Sequence, residues 1–540
     1  MPTLEGHGGE LALAGLGGRQ ALAGESIFTL SGGHIFPIYD ACSRGGTRII
    51  DVRHEQTAAF AAEGAAKLTR RPGIAVLTAG PGVTNGMSAL ATAHFNGSPL
   101  VVLAGRAPRA RWGSGSLQEL DHVPLVAPLA KRAATVGETA DIPQEVAAAV
   151  QAALSAHRGP VFVDLPLDVL FGRAAARWDQ ARPSPAEPDL EEAERAARLL
   201  AQAERPALVA GSDVWWEGAW DALRHLAEEL RVPTFTNGLG RGCLPADHEL
   251  AFSRTRGMLS EADVVCVVGT PLDFRLSFGR FGQAAVVHVT DSEQTRSTHV
   301  ELAAAPAGDL TRVLAAMAST GGRRADHEVW IAKMADQERA RREAAREDLV
   351  SGADPIHPAR VYGELLARLD RDAVVIGDGG DFVSWAGRLV DSYQPGCWMD
   401  PGPYGCLGTG LGYAIAARVV HPSRQVVLLA GDGAFGFSAI DVDTLVRHGL
   451  PVVIVVGNNG IWGLEKHPMR ALYGYDVAAD LQAGCRYDEL VRALGGAGET
   501  VSHPDEVGPA LDRAFGADAP YLVNVILDPA VAYPRSSNLA

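Results

Sequence analysis

The chain has 540 residues, 47% of them hydrophobic and 21% charged, and at roughly 150 residues per domain it divides into about three domains, each able to bury a core. Its 64 acidic and 48 basic residues give a net charge of −16 with no basic block. That argues against nucleic acid and anionic membranes as partners, since both reward clustered Lys and Arg, but leaves room for a small anionic substrate. No signal-peptide pattern and no apolar run of about 18 residues occurs. The six cysteines (Cys42, Cys243, Cys266, Cys397, Cys406, Cys485) form no C-x-x-C pair. A cytoplasmic protein with reduced thiols is the expectation.

Short β-branched runs alternate with Ala/Leu-rich segments in three stretches, the texture of doubly wound parallel sheets, so the expected fold class is α/β with three such domains. In the first, 1–176, strands are expected at 26–30, 73–80, 100–105 and 160–166 and a helix at 55–71. The segment 8–28 is Gly-interrupted, which predicts a weak or irregular first helix, because each interior Gly costs about 1 kcal/mol. A Pro- and charge-rich linker covers 177–194, with Pro183, Pro185 and Pro188 closely spaced. The second domain, 190–350, has strands at 205–211, 232–237, 262–270 and 284–291 and a charged helix at 327–349, and 351–358 makes the next boundary. The third, 356–540, has strands at 373–378, 425–432, 451–458 and 520–528.

The third domain holds the most selective pattern. Residues 425–462 read as a strand, a Gly-Asp-Gly turn, a helix, and a second strand ending in Asn458-Asn459. A right-handed crossover makes the two strands parallel, so Asp432 and Asn459 reach one crevice. A carboxylate and an amide carbonyl are hard oxygen ligands of the kind Mg²⁺ accepts. Gly431 and Gly433 allow close backbone approach, and the free N–H groups of the next helix, with Ala434 in its first turn, suit a diphosphate.

This joint pattern resembles the thiamin-diphosphate signature of the thiamin-dependent enzyme superfamily. The resemblance implies thiamin diphosphate bound through Mg²⁺, with Asp432, Asn459 and the backbone carbonyl of Ile461 as protein ligands and Trp462 beside them. It also implies that Leu407 props the cofactor's thiazolium ring against its aminopyrimidine, with the Gly405 carbonyl receiving the 4′-amino hydrogen. In the first domain, Glu55 comes just after a short strand and opens an Ala-rich helix in an H-E-Q-x-A-x-x-A-A-E-G frame similar to the family's pyrimidine-binding domain, followed by "GPGVTN" at 80–85. Glu55 is thereby the implied acid, sharing a proton with the pyrimidine N1′ away from bulk water. The three domains become pyrimidine-binding, central nucleotide-binding-like and diphosphate-binding. Because the family takes the acid and the diphosphate site from different subunits, a homodimer or homotetramer is implied.

Branch-level detail is mixed. The stretches 30–41 and 117–122 look like acetolactate synthase, with Gln118 and Lys131 at matching positions and His34 replacing a small residue. The stretches 431–444, 458–462, 487–498 and 253–279 instead look like 2-hydroxyacyl-CoA lyase and oxalyl-CoA decarboxylase. There Arg254, Arg256 and Asp291 are the candidate nucleotide residues, for ADP or FAD or for neither. The segment 393–400 lacks the basic residue of CoA-using relatives. Glu465 is either an acid/base or a surface carboxylate. Tyr533, Arg535, Ser536 and Asn538 either close over substrate or fray. The leading expectation is a C–C lyase or carboligase resembling 2-hydroxyacyl-CoA lyase. Its alternatives are an acetolactate-synthase-like condensation of 2-oxo acids and a non-catalytic regulatory homologue. The small-molecule partner is an acyl-CoA or a 2-oxo acid accordingly.

Overall fold

The computed structural model describes residues 1–180, 184–320 and 326–534. Three parallel sheets carry the chain. The first has, in spatial order, strands Arg48–Asp51, Ser26–Thr29, Gly73–Leu77, Leu100–Arg106, Val161–Pro166 and Arg132–Thr135. The third sheet repeats that order, with Trp398–Met399, Val374–Asp378, Val426–Gly431, Val453–Asn458, Tyr521–Ile526 and Ala497–Val501. The central sheet runs Ala251–Phe252, Thr234–Thr236, Pro206–Ala210, Val264–Val268 and Ala285–Val289. Its inner strands are buried on both faces, as helix-covered parallel strands must be.

Four expectations shift. A two-stranded antiparallel ribbon, Thr3–His7 with Arg173–Arg177, ties the chain's start to the end of the first domain and takes Arg177 out of the expected linker. Helix Leu190–Gln202 takes the linker's other end, and Pro183 lies outside the described residues. Four short strands escape the sequence reading (Arg132–Thr135, Ala251–Phe252, Trp398–Met399 and Ala497–Val501), all placed at or next to sheet edges with little apolar run to mark them. The charged helix at 327–349 breaks at Ala345 into Glu328–Ala344 and Arg346–Leu349. The segment 8–28 is irregular as expected: one helix, Gly8–Gly15, and then two single 3₁₀ turns.

The first and third domains share a core. Helix Glu55–Thr69 lies against helix Thr409–Val420, and both are almost wholly buried. Close approach requires glycine on each: a Cβ at Gly64 would fall 2.9 Å from the Tyr413 ring, and one at Gly412 2.6 Å from Phe60. A charge is buried in this contact. Lys67 pairs with Glu63 at 3.2 Å and donates to the Tyr413 hydroxyl at 2.8 Å, while Glu63 also accepts from Asn96 and Ser98. Lys67, Glu63 and the Tyr413 hydroxyl each have a partner, which is the condition for a buried ion pair to be tolerated. Among the described residues no helix is long and apolar enough to cross a membrane.

Candidate active site

Strand Val426–Gly431 delivers Asp432, 2% exposed, to the start of a short helix, Asp432–Ser438. Asp432 accepts the Gly460 N–H at 3.0 Å. Burial pushes its carboxyl up to about 6, against the pull of the N–H groups of Gly460, Gly433 and Asn459. No basic side chain pairs with it among the described residues. A desolvated carboxylate in this position is the hard donor that a divalent cation completes. The neighbouring strand, Val453–Asn458, pairs Gly457 with Gly431 and so brings Asn459 to the same edge. The two asparagines divide the work: Asn458 donates to the Cys485 carbonyl and to Asn524, which makes it structural, and Asn459 stays at the crevice. The helix after the turn is only seven residues long, so anion binding there rests on its free N–H groups rather than on a long macrodipole.

A cavity of about 590 Å³ opens above these residues and is lined by Gly405, Leu407, Gly431, Ala434, Ile461 and Trp462 among others. Two kinds of glycine surround it. A Cβ at Gly433 would lie 2.5 Å from the Trp462 ring, so that glycine is needed for packing. A Cβ at Gly431 or Gly405 would meet nothing within 4 Å. The donor set and this open cradle fit a diphosphate held through a divalent cation. Glu465 is exposed on the rim.

Asp378 was not anticipated. It ends the strand beside Val426–Gly431 and accepts the N–H groups of Gly408 at 3.1 Å and Gly410 at 2.8 Å. Burial pushes it up to about 6. It is a positioning residue for the loop that carries Gly405 and Leu407. Its only sequence signal is an acid at a strand end.

The first domain gathers a second set at the carboxyl edge of its sheet. Glu55 is 7% exposed at the first position of its helix, and Asn85 of "GPGVTN" donates to it at 3.0 Å. His54 caps that helix, its Nδ1 accepting from the Gln56 N–H. His34 is buried with Nδ1 3.3 Å from the Thr78 hydroxyl, and burial lowers its pKa. Gln118, at φ +59°, packs against Gly80. That turn is pinned by His122, missed from sequence, which accepts the Gly80 N–H at 2.9 Å and contacts Asp164 at 3.1 Å; Asp164 in turn binds Arg106 at 2.5 Å. None of these first-domain residues lines the Asp432 cavity, whose walls come from the central and third domains alone.

The central-domain expectations are corrected in two places. Arg254 is not free for phosphate: its guanidinium binds Asp391 at 3.1 Å and the Leu389 carbonyl at 3.1 Å, with Glu338 3.6 Å away. Asp291, expected among the nucleotide residues, faces His157 of the first domain at 3.2 Å, and Asp213 lies 3.6 Å from the same nitrogen. Lys131 belongs here too, donating to Ser155 and to the His157 carbonyl, away from the crevice. Arg256 does line the Asp432 cavity. Tyr533 donates its N–H to Asp381 at 3.0 Å and packs on Trp385, while Arg535, Ser536 and Asn538 lie outside the described residues.

The His157 cluster makes stability pH-dependent. Burial opposes charge on His157, but Asp213 and Asp291 outweigh it and hold the imidazolium to about 9, above its ordinary 6.5. That stabilisation is fully present below pH 6.5 and is lost as pH rises through about 9. Burial and Asp291 raise Asp213 to about 7, so its ionisation opposes folding above 3.8 and does so fully above 7. Both effects have one sign. The melting temperature is expected to fall between pH 6.5 and 9 by the equivalent of roughly 2–3 kcal/mol. His157→Gln should flatten that slope; a slope equal to wild type would remove the cluster as its source.

The arrangement can therefore hold a phosphate-bearing cofactor on the third domain and present a buried carboxyl from the first. Comparison with known proteins agrees. Three families match in order: "Thiamine pyrophosphate enzyme, N-terminal TPP binding domain" over residues 20–125, its central domain over 193–317, and its C-terminal TPP binding domain over 378–525. The chain is 57% identical over 526 residues to the "Acetolactate synthase large subunit IlvG" of Mycobacterium tuberculosis, covering 96% of this chain and 95% of that protein. The "Probable acetolactate synthase" of Mycobacterium bovis matches equally. The "2-hydroxyacyl-CoA lyase 2" of Homo sapiens is 34% identical over 547 residues, covering 93% and 86%. A buried metal-ready acid, a cofactor cradle and three matching domains make the chain a member of the thiamin-diphosphate-dependent enzyme superfamily, acting on carbon–carbon bonds.

Proposed function

We propose that the chain condenses 2-oxo acids in the manner of an acetolactate synthase, with thiamin diphosphate and Mg²⁺. The observation that carries this reading is the 57% identity over 96% of the chain to two proteins named as acetolactate synthases. Proteins named as 2-hydroxyacyl-CoA lyases stand at 34% or below, so the lyase expectation yields to its alternative. The motif at 117–122 and the missing basic residue at 393–400 point the same way.

Bound thiamin diphosphate supplies a nucleophilic carbon that adds to a carbonyl. The chain supplies the rest. Asp432, Asn459 and the Ile461 carbonyl would hold the cation, and Leu407 would support the ring system. Glu55, buried and oriented by Asn85, would pass the proton that the cofactor exchanges, away from bulk water. His34 and Gln118 stand near it to orient substrate. Since Glu55 does not line the Asp432 cavity of its own chain, a second copy completes the site. Exposed Phe95, Tyr404, Phe437 and Ile440 supply apolar surface for such a dimer.

The test is product analysis with the cofactor-loaded enzyme. Pyruvate should give acetolactate and CO₂, and a 2-hydroxyacyl-CoA should give no aldehyde. Aldehyde release without acetolactate would overturn the reading in favour of the lyase.

A further inference from the structure

The first-domain residues of the site meet at one turn, at Gly80. Gly80 caps the start of helix Pro81–Phe95, whose Asn85 donates to Glu55 at 3.0 Å. Two residues before it, Thr78 meets His34. A Cβ on Gly80 would lie 2.9 Å from the Gln118 Cβ, and its φ of +61° favours glycine. At a helix start, the Gly80 N–H finds no helical carbonyl to accept it. His122 Nε2 accepts it at 2.9 Å. A ring nitrogen that accepts does not carry the proton, so the proton sits on Nδ1, which faces Asp164 Oδ1 at 3.1 Å. Asp164 is held in turn by Arg106 at 2.5 Å and by the Thr135 hydroxyl at 3.4 Å. His122 and Asp164 are both 0% exposed, and neither lines the Asp432 cavity. Burying a carboxylate is a poor way to gain stability, yet this one fixes which nitrogen of a single imidazole is protonated.

We infer that His122, its tautomer set by Asp164, is a positioning residue for proton transfer at Glu55, acting through the Gly80 N–H and Asn85. The hydrogen bond to Gly80 fixes the start of helix Pro81–Phe95, and that helix carries Asn85 to the Glu55 carboxyl. With the ring proton moved to Nε2, two N–H donors would face each other across 2.9 Å. The turn would then open and take Asn85 away from Glu55. Misplacing a reacting group by about 1 Å costs on the order of 100-fold in rate. The inference rests on Glu55 being the acid, as proposed above.

Two exchange rates in the cofactor-loaded protein test this: that of the Gly80 amide hydrogen and that of the cofactor's C2 proton. His122→Phe keeps a ring in place and removes the acceptor. Its Gly80 amide should exchange at least 10-fold faster than in wild type, and its C2 exchange should fall by about 10–100-fold, with cofactor affinity unchanged. His122→Gln puts an amide oxygen in the place of Nε2 and should bring both rates back toward wild type. Asp164→Asn should slow C2 exchange in the His122 protein but not in the His122→Gln background, where no tautomer remains to be set. A loss caused through Arg106 would be the same in both backgrounds, so this comparison decides the question even where His122→Phe fails to fold. Equal C2 exchange in wild type and His122→Phe overturns the inference, as does an equal effect of Asp164→Asn in both backgrounds. Slow exchange in His122→Phe that follows lost cofactor affinity also overturns it. Glu55→Gln at the wild-type rate removes the acid and His122's role together. A slow Glu55→Gln beside a fast His122→Phe keeps the acid and removes only the positioning residue.

Discussion

Glu55→Gln is expected to retain cofactor binding and lose acetolactate formation by about 10²–10⁴-fold, the range for removing a positioned general acid–base group. The carboxyl is buried at the first turn of its helix and held by Asn85. Glutamine keeps the size of the side chain and can still accept from Asn85, so the fold is retained. What it cannot do is hold a proton between two acceptors. The check that separates chemistry from binding is exchange of the cofactor's C2 proton in deuterated solvent, followed by NMR. Wild type should exchange quickly and Glu55→Gln slowly, with equal cofactor affinity. Undiminished exchange would remove Glu55 from its role.

Asp432→Ala is the second large effect and acts at the other half of the site. A ligand that binds only the folded state at 100 times its Kd adds about 2.7 kcal/mol to stability. Thiamin diphosphate with Mg²⁺ should raise the melting temperature of wild type accordingly and leave Asp432→Ala unmoved. The apoprotein behaves the opposite way. Asp432 is an acid 2% exposed with no basic side chain paired to it among the described residues, so its removal lifts a desolvation cost and the variant apoprotein should be at least as stable as wild type. A variant that unfolds early without ligand would make Asp432 a structural residue instead. Since the cation is the expected partner, thiamin diphosphate without Mg²⁺ should give wild type little of the shift.

What the sequence shows of this site follows from distance along the chain. Asp432 and Asn459 lie on consecutive strands of one crossover, so local patterning suffices to bring them together. Glu55 is legible for a similar reason: a short strand, an acid and an Ala-rich helix follow one another in a single unbroken run of chain. Asp378 is not legible, because its partners Gly408 and Gly410, at the start of helix Thr409–Val420, are 30 and 32 positions away. Arg254 reads as a phosphate ligand only while Asp391, 137 positions on, is out of view. Asp291 likewise reads as a nucleotide residue until His157, 134 positions before it, is placed against it. Charged residues are misread more readily than apolar ones. Periodicity fixes which face of an element is buried, but an ion pair between domains leaves no periodic trace. The repeated strand order of the first and third sheets is also hidden, since edge strands of two to five residues carry too little pattern.

Mixing the two inactive variants shows whether two copies share one site. If Glu55 of one copy completes the Asp432 site of another, each mixed dimer of Glu55→Gln with Asp432→Ala contains one intact site. Random reassociation makes half of all dimers mixed, each with one of two sites restored, so acetolactate formation should return to roughly a quarter of wild type. Either variant alone should stay inactive. No recovery in verified mixed dimers would contradict the account and place both halves of the site within a single chain.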